Sequence, residues 1–121
     1  LQPPKALLAI YPAITDASLL SDLRHRDFVK LAFGQLSGEE IKEKYDVYSH
    51  GEGFPPTYMA VGKHDLLISK KPLEAFSKFL KEKGIAAQLD IFPRAPHGFG
   101  DGSSTGAEGW IGRADAFLAK L

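Results

Sequence analysis

The sequence predicts an α/β fold, with parallel strands and flanking helices stacked as a three-layer sandwich. Three observations carry that expectation. Strand-length apolar runs occur at Lys5–Tyr11, Thr57–Val61 and Ile85–Phe92, each stopped by proline or glycine. Helical patterns follow the second and third runs, so strand and helix alternate along the chain. A helix between two strands makes them parallel neighbours joined by a right-handed crossover.

Each element has a local reason. KALLAIY, residues 5–11, is nearly continuous in apolar residues, which suits a strand buried on both faces, and Pro12 ends it. Leu19, Leu20, Leu23, Phe28, Leu31 and Phe33 are spaced for one or two short helices over the sheet. Ser37 with Glu40 forms a capping box that opens a helix reaching about Lys44. Gly51, Gly53, Pro55 and Pro56 make the following stretch a loop. After the second strand, Pro72 stands in a first helical turn, and Leu73, Phe76, Phe79 and Leu80 form one apolar stripe. Glu74, Lys78 and Glu82 line the outer, solvated face, and Gly84 provides a left-handed C-terminal cap. A last helix is expected from Thr105, capped with Glu108. Ala107, Trp110, Ile111, Ala114, Phe117, Leu118 and Leu121 would form its core stripe.

Length and composition set the limits. A chain of 121 residues, 44% apolar and 25% charged, is one soluble-type domain over residues 1–121. Fifteen basic residues balance fifteen acidic ones, and no basic stripe appears, which gives nucleic-acid binding no electrostatic support. The longest apolar run, Ala6–Ile14, is broken by Pro12 and falls short of the roughly 20 residues a membrane span needs. There are no cysteines, which excludes disulfides and thiolate chemistry within the chain and favours a reducing, cytoplasmic compartment. The first strand begins almost at Leu1, so a partial domain is expected.

Two polar residues stand where an α/β sheet gathers its chemistry. Asp65 follows the second strand by a short loop and His97 follows the third, so both fall just past the carboxyl ends of neighbouring parallel strands. An imidazole paired to a carboxylate on one nitrogen can take a proton from a hydroxyl with the other. Taken singly, Asp65 reads as a turn aspartate and His97 as a surface histidine; taken together they read as an acid–base pair. His25, His50 and His64 lie on other elements without metal-ligand spacing, and no metal or cofactor is expected. Phe99 packs under the His97 loop or lines a substrate acyl pocket, and Trp110 is expected in the core.

The runs PPTYMAVGKHDLLI and FSKFLKEKGIAAQLDIFPRAPHGFG, residues 55–68 and 76–100, resemble the C-terminal portion of an α/β-hydrolase-fold esterase. Within that superfamily they are most similar to acetyl-esterase, hormone-sensitive-lipase-like and acetylxylan-esterase-like enzymes, and more loosely to prolyl oligopeptidases. The resemblance covers nearly the whole chain. KALLAIYPAITD resembles the strand after the nucleophile-bearing helix, and Thr105–Leu121 the closing helix. It implies that Asp65 is the triad acid and His97 the triad base of a serine carboxylic-ester hydrolase acting on a small-molecule ester. It also implies lid or pocket structure between Ser18 and Asp46.

Such enzymes carry their nucleophile in a G-x-S-x-G elbow before the acid. None precedes Asp65. The one literal match, Gly102–Gly106 around Ser104, comes after His97 with no apolar strand leading into it. The nucleophile and the oxyanion hole are therefore expected upstream, and this chain alone is expected to be inactive. The alternative is a non-catalytic α/β module or pseudoenzyme acting by association. Support for it lies in the strand Ala6–Tyr11, whose open edge could self-associate or pair with an N-terminal half.

Overall fold

The computed structural model describes residues 2–21 and 25–121, with backbone alone at Ala17 and Ser18. Three parallel strands form one sheet in the order β1 (Leu7–Ile10), β2 (Thr57–Gly62), β3 (Ala87–Phe92). Leu7 and Ala87 both pair with Thr57, and Gly62 pairs with Phe92. This register brings the carboxyl ends of the strands to one edge.

Every residue of β2 is buried. Its alternation splits the core in two. Met59 and Val61 face α4 (Lys70–Glu82) and meet Leu73, Phe76 and Leu80. Tyr58 and Ala60 face the opposite way, towards Ala114 and Phe117 of α5 (Trp110–Ala119) and Ala95, Phe99 and Ala107 of the loops before it. Helices on both sides of a parallel sheet make the three layers that the sequence predicts. The stripe on α4 packs as expected, and Lys78 and Glu82 pair at 3.7 Å on its solvated side. Gly84, at φ 76°, ends α4 in a Schellman motif, with Ile85 N–H donating to Leu80 and Gly84 N–H to Lys81.

Between β1 and β2 lie α1 (Ala17–Ser21), α2 (Arg26–Phe33) and α3 (Gly38–Tyr45). The capping box of α3 is complete: the Glu40 N–H donates to Ser37 Oγ, and the Ser37 N–H donates to the Glu40 carboxylate at 2.7 Å. These backbone and hydroxyl contacts hold the Glu40 carboxyl below its usual range. The two short helices expected over the sheet behave differently. Leu19 of α1 is buried, whereas α2 buries no residue and leaves Phe28 and Leu31 exposed. Leu23 lies outside the described residues.

Three expectations are corrected. β1 is not buried on both faces, since Leu8 is 43% exposed, and among the described residues it is also the edge strand of the sheet. β3 begins at Ala87 because Ile85 is used in the cap of α4. The last helix begins at Trp110 rather than Thr105. Residues 101–109 form successive turns, with Gly102 (φ 88°), Ser104 (φ 59°) and Gly109 (φ 87°) in left-handed backbone that interrupts a helix, and Gly106 lies flat on Arg94, where a β-carbon would overlap the Arg94 backbone. Thr105 Oγ1 donates to the Gly102 carbonyl and accepts from Ala107 N–H, so it caps a turn. The apolar stripe divides accordingly: Ala107, Ala114 and Phe117 are buried, while Ile111, Leu118 and Leu121 are exposed.

One polar cluster is enclosed in the layer beneath α5. The Asp90 carboxylate of β3 accepts from Tyr58 Oη at 2.7 Å, from Gln88 at 3.1 Å, and from Arg113 of α5 through Nε and Nη2, each at 2.7 Å. Burial pushes the Asp90 carboxyl up, but the hydrogen bonds from Arg113, Tyr58 and Gln88 outweigh it and hold it below the carboxylate range. Burial, then the bond to Asp90, pushes the Tyr58 phenol well up, so it remains a donor. Nothing in the spacing of Tyr58, Asp90 and Arg113 along the chain announces this cluster. Alternate placement on one strand (Gln88, Asp90) was its only signal.

Candidate active site

Two loops and a strand end meet at the carboxyl edge of the sheet. After β2 the chain turns at Gly62, and the Asp65 N–H closes the turn on the Gly62 carbonyl at 3.1 Å. The loop after β3 runs directly beside it: Lys63 N–H donates to the Phe92 carbonyl and His64 N–H to the Ala95 carbonyl. Only glycine fits at position 62, because a β-carbon would overlap the carbonyl groups of Ala95 and Pro96. That contact presses the two loops together.

It also brings together the two residues singled out in the sequence. His97 Nδ1 donates to Asp65 Oδ2 at 2.8 Å. The second oxygen of Asp65 accepts the N–H groups of Leu67 and Ile68, each at 2.8 Å. The Asp65 side chain is fully enclosed, and that of His97 is 34% exposed. An enclosed carboxylate held by three donors is fixed in position. With Nδ1 carrying the proton, Nε2 is left as the basic nitrogen. The geometry can orient an imidazole and stabilise its cation when Nε2 takes a proton.

The strand end adds a third side chain. Tyr11, immediately after β1, places its ring 4.8 Å from that of His97, tilted by 59°. Behind it stands Phe99, edge-on to Tyr11 at 5.0 Å. Phe99 is 5% exposed and also meets Phe92 and Trp110, so it lies beneath the His97 loop. Trp110 is half-buried and donates from its indole N–H to the Gly100 carbonyl. Tyr11 was not singled out in the sequence, where it reads as the last apolar residue of a strand.

A cavity of about 410 Å³ opens on the other side of the Asp65 loop. Its wall is mainly apolar, with Pro12, Ile14, Leu19, Ile68, Pro72 and Leu73. Its lining includes Pro12, next to Tyr11 in the chain, and Ile68, whose N–H donates to Asp65, but not Asp65 or His97 themselves. His25 also reaches this loop: its Nε2 donates to the Leu67 carbonyl at 2.6 Å. The sequence set His25 aside with the scattered histidines, and only folding reveals the tie. His50 bonds the Lys44 carbonyl, and His64 is exposed.

Ser104 stands in a turn at φ 59°, a left-handed backbone that serine rarely adopts. A left-handed φ in a run of turns does not make an elbow, which sits between a strand and a helix. The strand that should lead into an elbow is absent, since turns and bends surround it on both sides.

Residues 37–115 match the sequence model of the dienelactone hydrolase family. The fold is similar to an acetyl ester-xyloside bifunctional hydrolase from Caldicellulosiruptor lactoaceticus, with a TM-score of 0.79 and 22% identity over 97% of this chain and 42% of that one. It is also similar to Thermogutta terrifontis esterase 2 phosphonylated by sarin, with a TM-score of 0.71 and 20% identity over 96% of this chain and 44% of that one. The propionate-bound form of that esterase gives a TM-score of 0.68 at 21% identity, over 96% and 42% of the two chains. This chain spans less than half the length of these structures. No curated protein sequence matches it.

Proposed function

Because the chain belongs to the dienelactone hydrolase family, we propose that it supplies the acid and base of a carboxylic-ester hydrolase whose nucleophile and oxyanion hole lie upstream. The observation that carries this reading is the 2.8 Å contact between His97 Nδ1 and the enclosed Asp65 carboxylate. In the complete enzyme a serine hydroxyl attacks the ester carbonyl, and His97 Nε2 takes the hydroxyl proton. Asp65 holds the imidazole in that tautomer and balances the cation. His97 then returns the proton to the departing alcohol, and a water repeats the cycle on the acyl-enzyme.

The apolar cavity beside Ile68 supports an ester with a small apolar group as substrate. The solved esterases of the same fold, one with propionate bound, are consistent with that class. Phe99, buried beneath Tyr11, supports the site from below in this scheme.

The test is hydrolysis of a chromogenic short-chain ester by the full-length protein. His97→Ala and Asp65→Asn are each expected to lower kcat by about 10³- to 10⁴-fold. Turnover near the parent level in either variant would remove the assignment.

A further inference from the structure

We propose that Tyr11 is a positioning residue for His97: its ring sets the plane of the imidazole, while Asp65 sets which nitrogen carries the proton. The inference rests on the acid–base reading above and adds a third element to it. A single hydrogen bond at Nδ1 leaves the ring free to swing about that contact. The His97 loop does little to prevent this, since Gly98 at φ 73° and Gly100 at φ 56° flank the Phe99 anchor. Tyr11 closes that freedom from the neighbouring side, with ring centroids 4.8 Å apart and a 59° tilt.

The backbone of Tyr11 is held for this purpose at φ 41°, a left-handed conformation that bulky residues rarely adopt. Such outliers persist only where the surroundings fix them. Here the Tyr11 N–H donates to the Ala60 carbonyl at 2.6 Å, and the ring rests edge-on against Phe99 at 5.0 Å. The left-handed turn aims the ring along the sheet edge towards the third strand's loop. Tyr11, Asp65 and His97 thus come one from the end of each strand. The aromatic partner and the carboxylate hold the imidazole from two directions.

The experiment uses two substitutions in the full-length protein. Tyr11→Gly relieves the backbone and removes the ring, whereas Tyr11→Phe retains the ring. The readouts are the NMR signal of the His97 Nδ1 proton, with the ¹⁵N shifts that report its tautomer, and steady-state ester hydrolysis. In Tyr11→Gly the Nδ1 proton signal is expected to vanish and kcat to fall about 10- to 100-fold with KM little changed. Tyr11→Phe should resemble the parent in both. A folded Tyr11→Gly protein that keeps the Nδ1 signal overturns the proposal, and so does a Tyr11→Phe protein that loses it. If Tyr11→Gly unfolds, Tyr11→Leu is read in the same way; unfolding of both would make Tyr11 a core residue and also overturn it. An inactive parent with an intact Nδ1 signal would sink the hydrolase reading while leaving the positioning role in place.

Discussion

The carbonyl of Ala95 occupies the space that a side chain on Gly62 would need. This close approach joins the loop of Asp65 to the loop of His97. Gly62→Ala should therefore part the loops by forcing the Ala95 and Pro96 carbonyl groups away. We expect a loss of about 1–3 kcal/mol in stability, typical of overpacking at a rigid contact. Ester hydrolysis in the full-length protein should drop further than that loss of stability explains, because a shift of the order of 1 Å at His97 costs about 100-fold. Thermal melts and kcat on the same preparation check the pair. An unchanged kcat would mean the loops do not depend on this contact.

Asp90 predicts how stability varies with acid. Its folded carboxyl is held below the ordinary value by Arg113, Tyr58 and Gln88 against the opposing effect of burial. A carboxyl lowered on folding contributes stability above its unfolded pKa of about 3.9. That contribution is lost as the pH falls through the lower folded value. Denaturant midpoints should hold from pH 7 to about 5 and then decline below about 4. Asp90→Asn should lower the midpoint at pH 7 and flatten the acid limb, so that the two curves converge at low pH. Arg113→Ala leaves the enclosed carboxylate without its two-pronged donor and should cost about 1–3 kcal/mol, since half of the Arg113 side chain is already exposed. Parallel acid limbs in parent and Asp90→Asn would show that another group controls the acid response.

The sequence made the site legible through position rather than motif. Asp65 and His97 follow runs whose periodicity marks parallel strands, and the sheet places both at one edge. The capping box at Ser37 and the glycine cap at Gly84 were readable because each is a local hydrogen-bonding pattern. The start of the last helix was misread because the left-handed backbone at Ser104 and Gly109 is not evident from the capping-box spacing of Thr105 and Glu108. Tyr11 and His25 escaped for a different reason. Their partners, His97 and the Leu67 carbonyl, are distant in sequence and meet them only once the sheet has formed.

Ser104 takes φ 59° in a run of turns, with no strand leading into it. Without the strand of an elbow, Ser104 is not placed as a nucleophile, so Ser104→Ala should leave ester hydrolysis in the full-length protein unchanged. Ser104→Gly should raise stability by about 0.5–1 kcal/mol by relieving the left-handed conformation. Loss of burst-phase acylation in Ser104→Ala would instead move the nucleophile into this chain.

Among the described residues β1 offers an unpaired edge, and its hydrogen-bond register tells which atoms face it. Leu7 N–H donates to Pro56 and Tyr11 N–H to Ala60, both towards β2. Alternation along a strand then turns the N–H groups of Leu8 and Ile10 outward. An open edge beside an exposed Leu8 invites a further strand. The isolated chain should elute in size-exclusion chromatography above its 13.2 kDa mass, with the larger species growing as concentration rises. Leu8→Pro removes an outward donor while sparing the bonds to β2, as proline at a sheet edge does. That variant should elute as a monomer with its far-ultraviolet circular dichroism intact. A parent chain that is monomeric at high concentration would show that the edge is closed by other means, and would weaken the case for a docking N-terminal half.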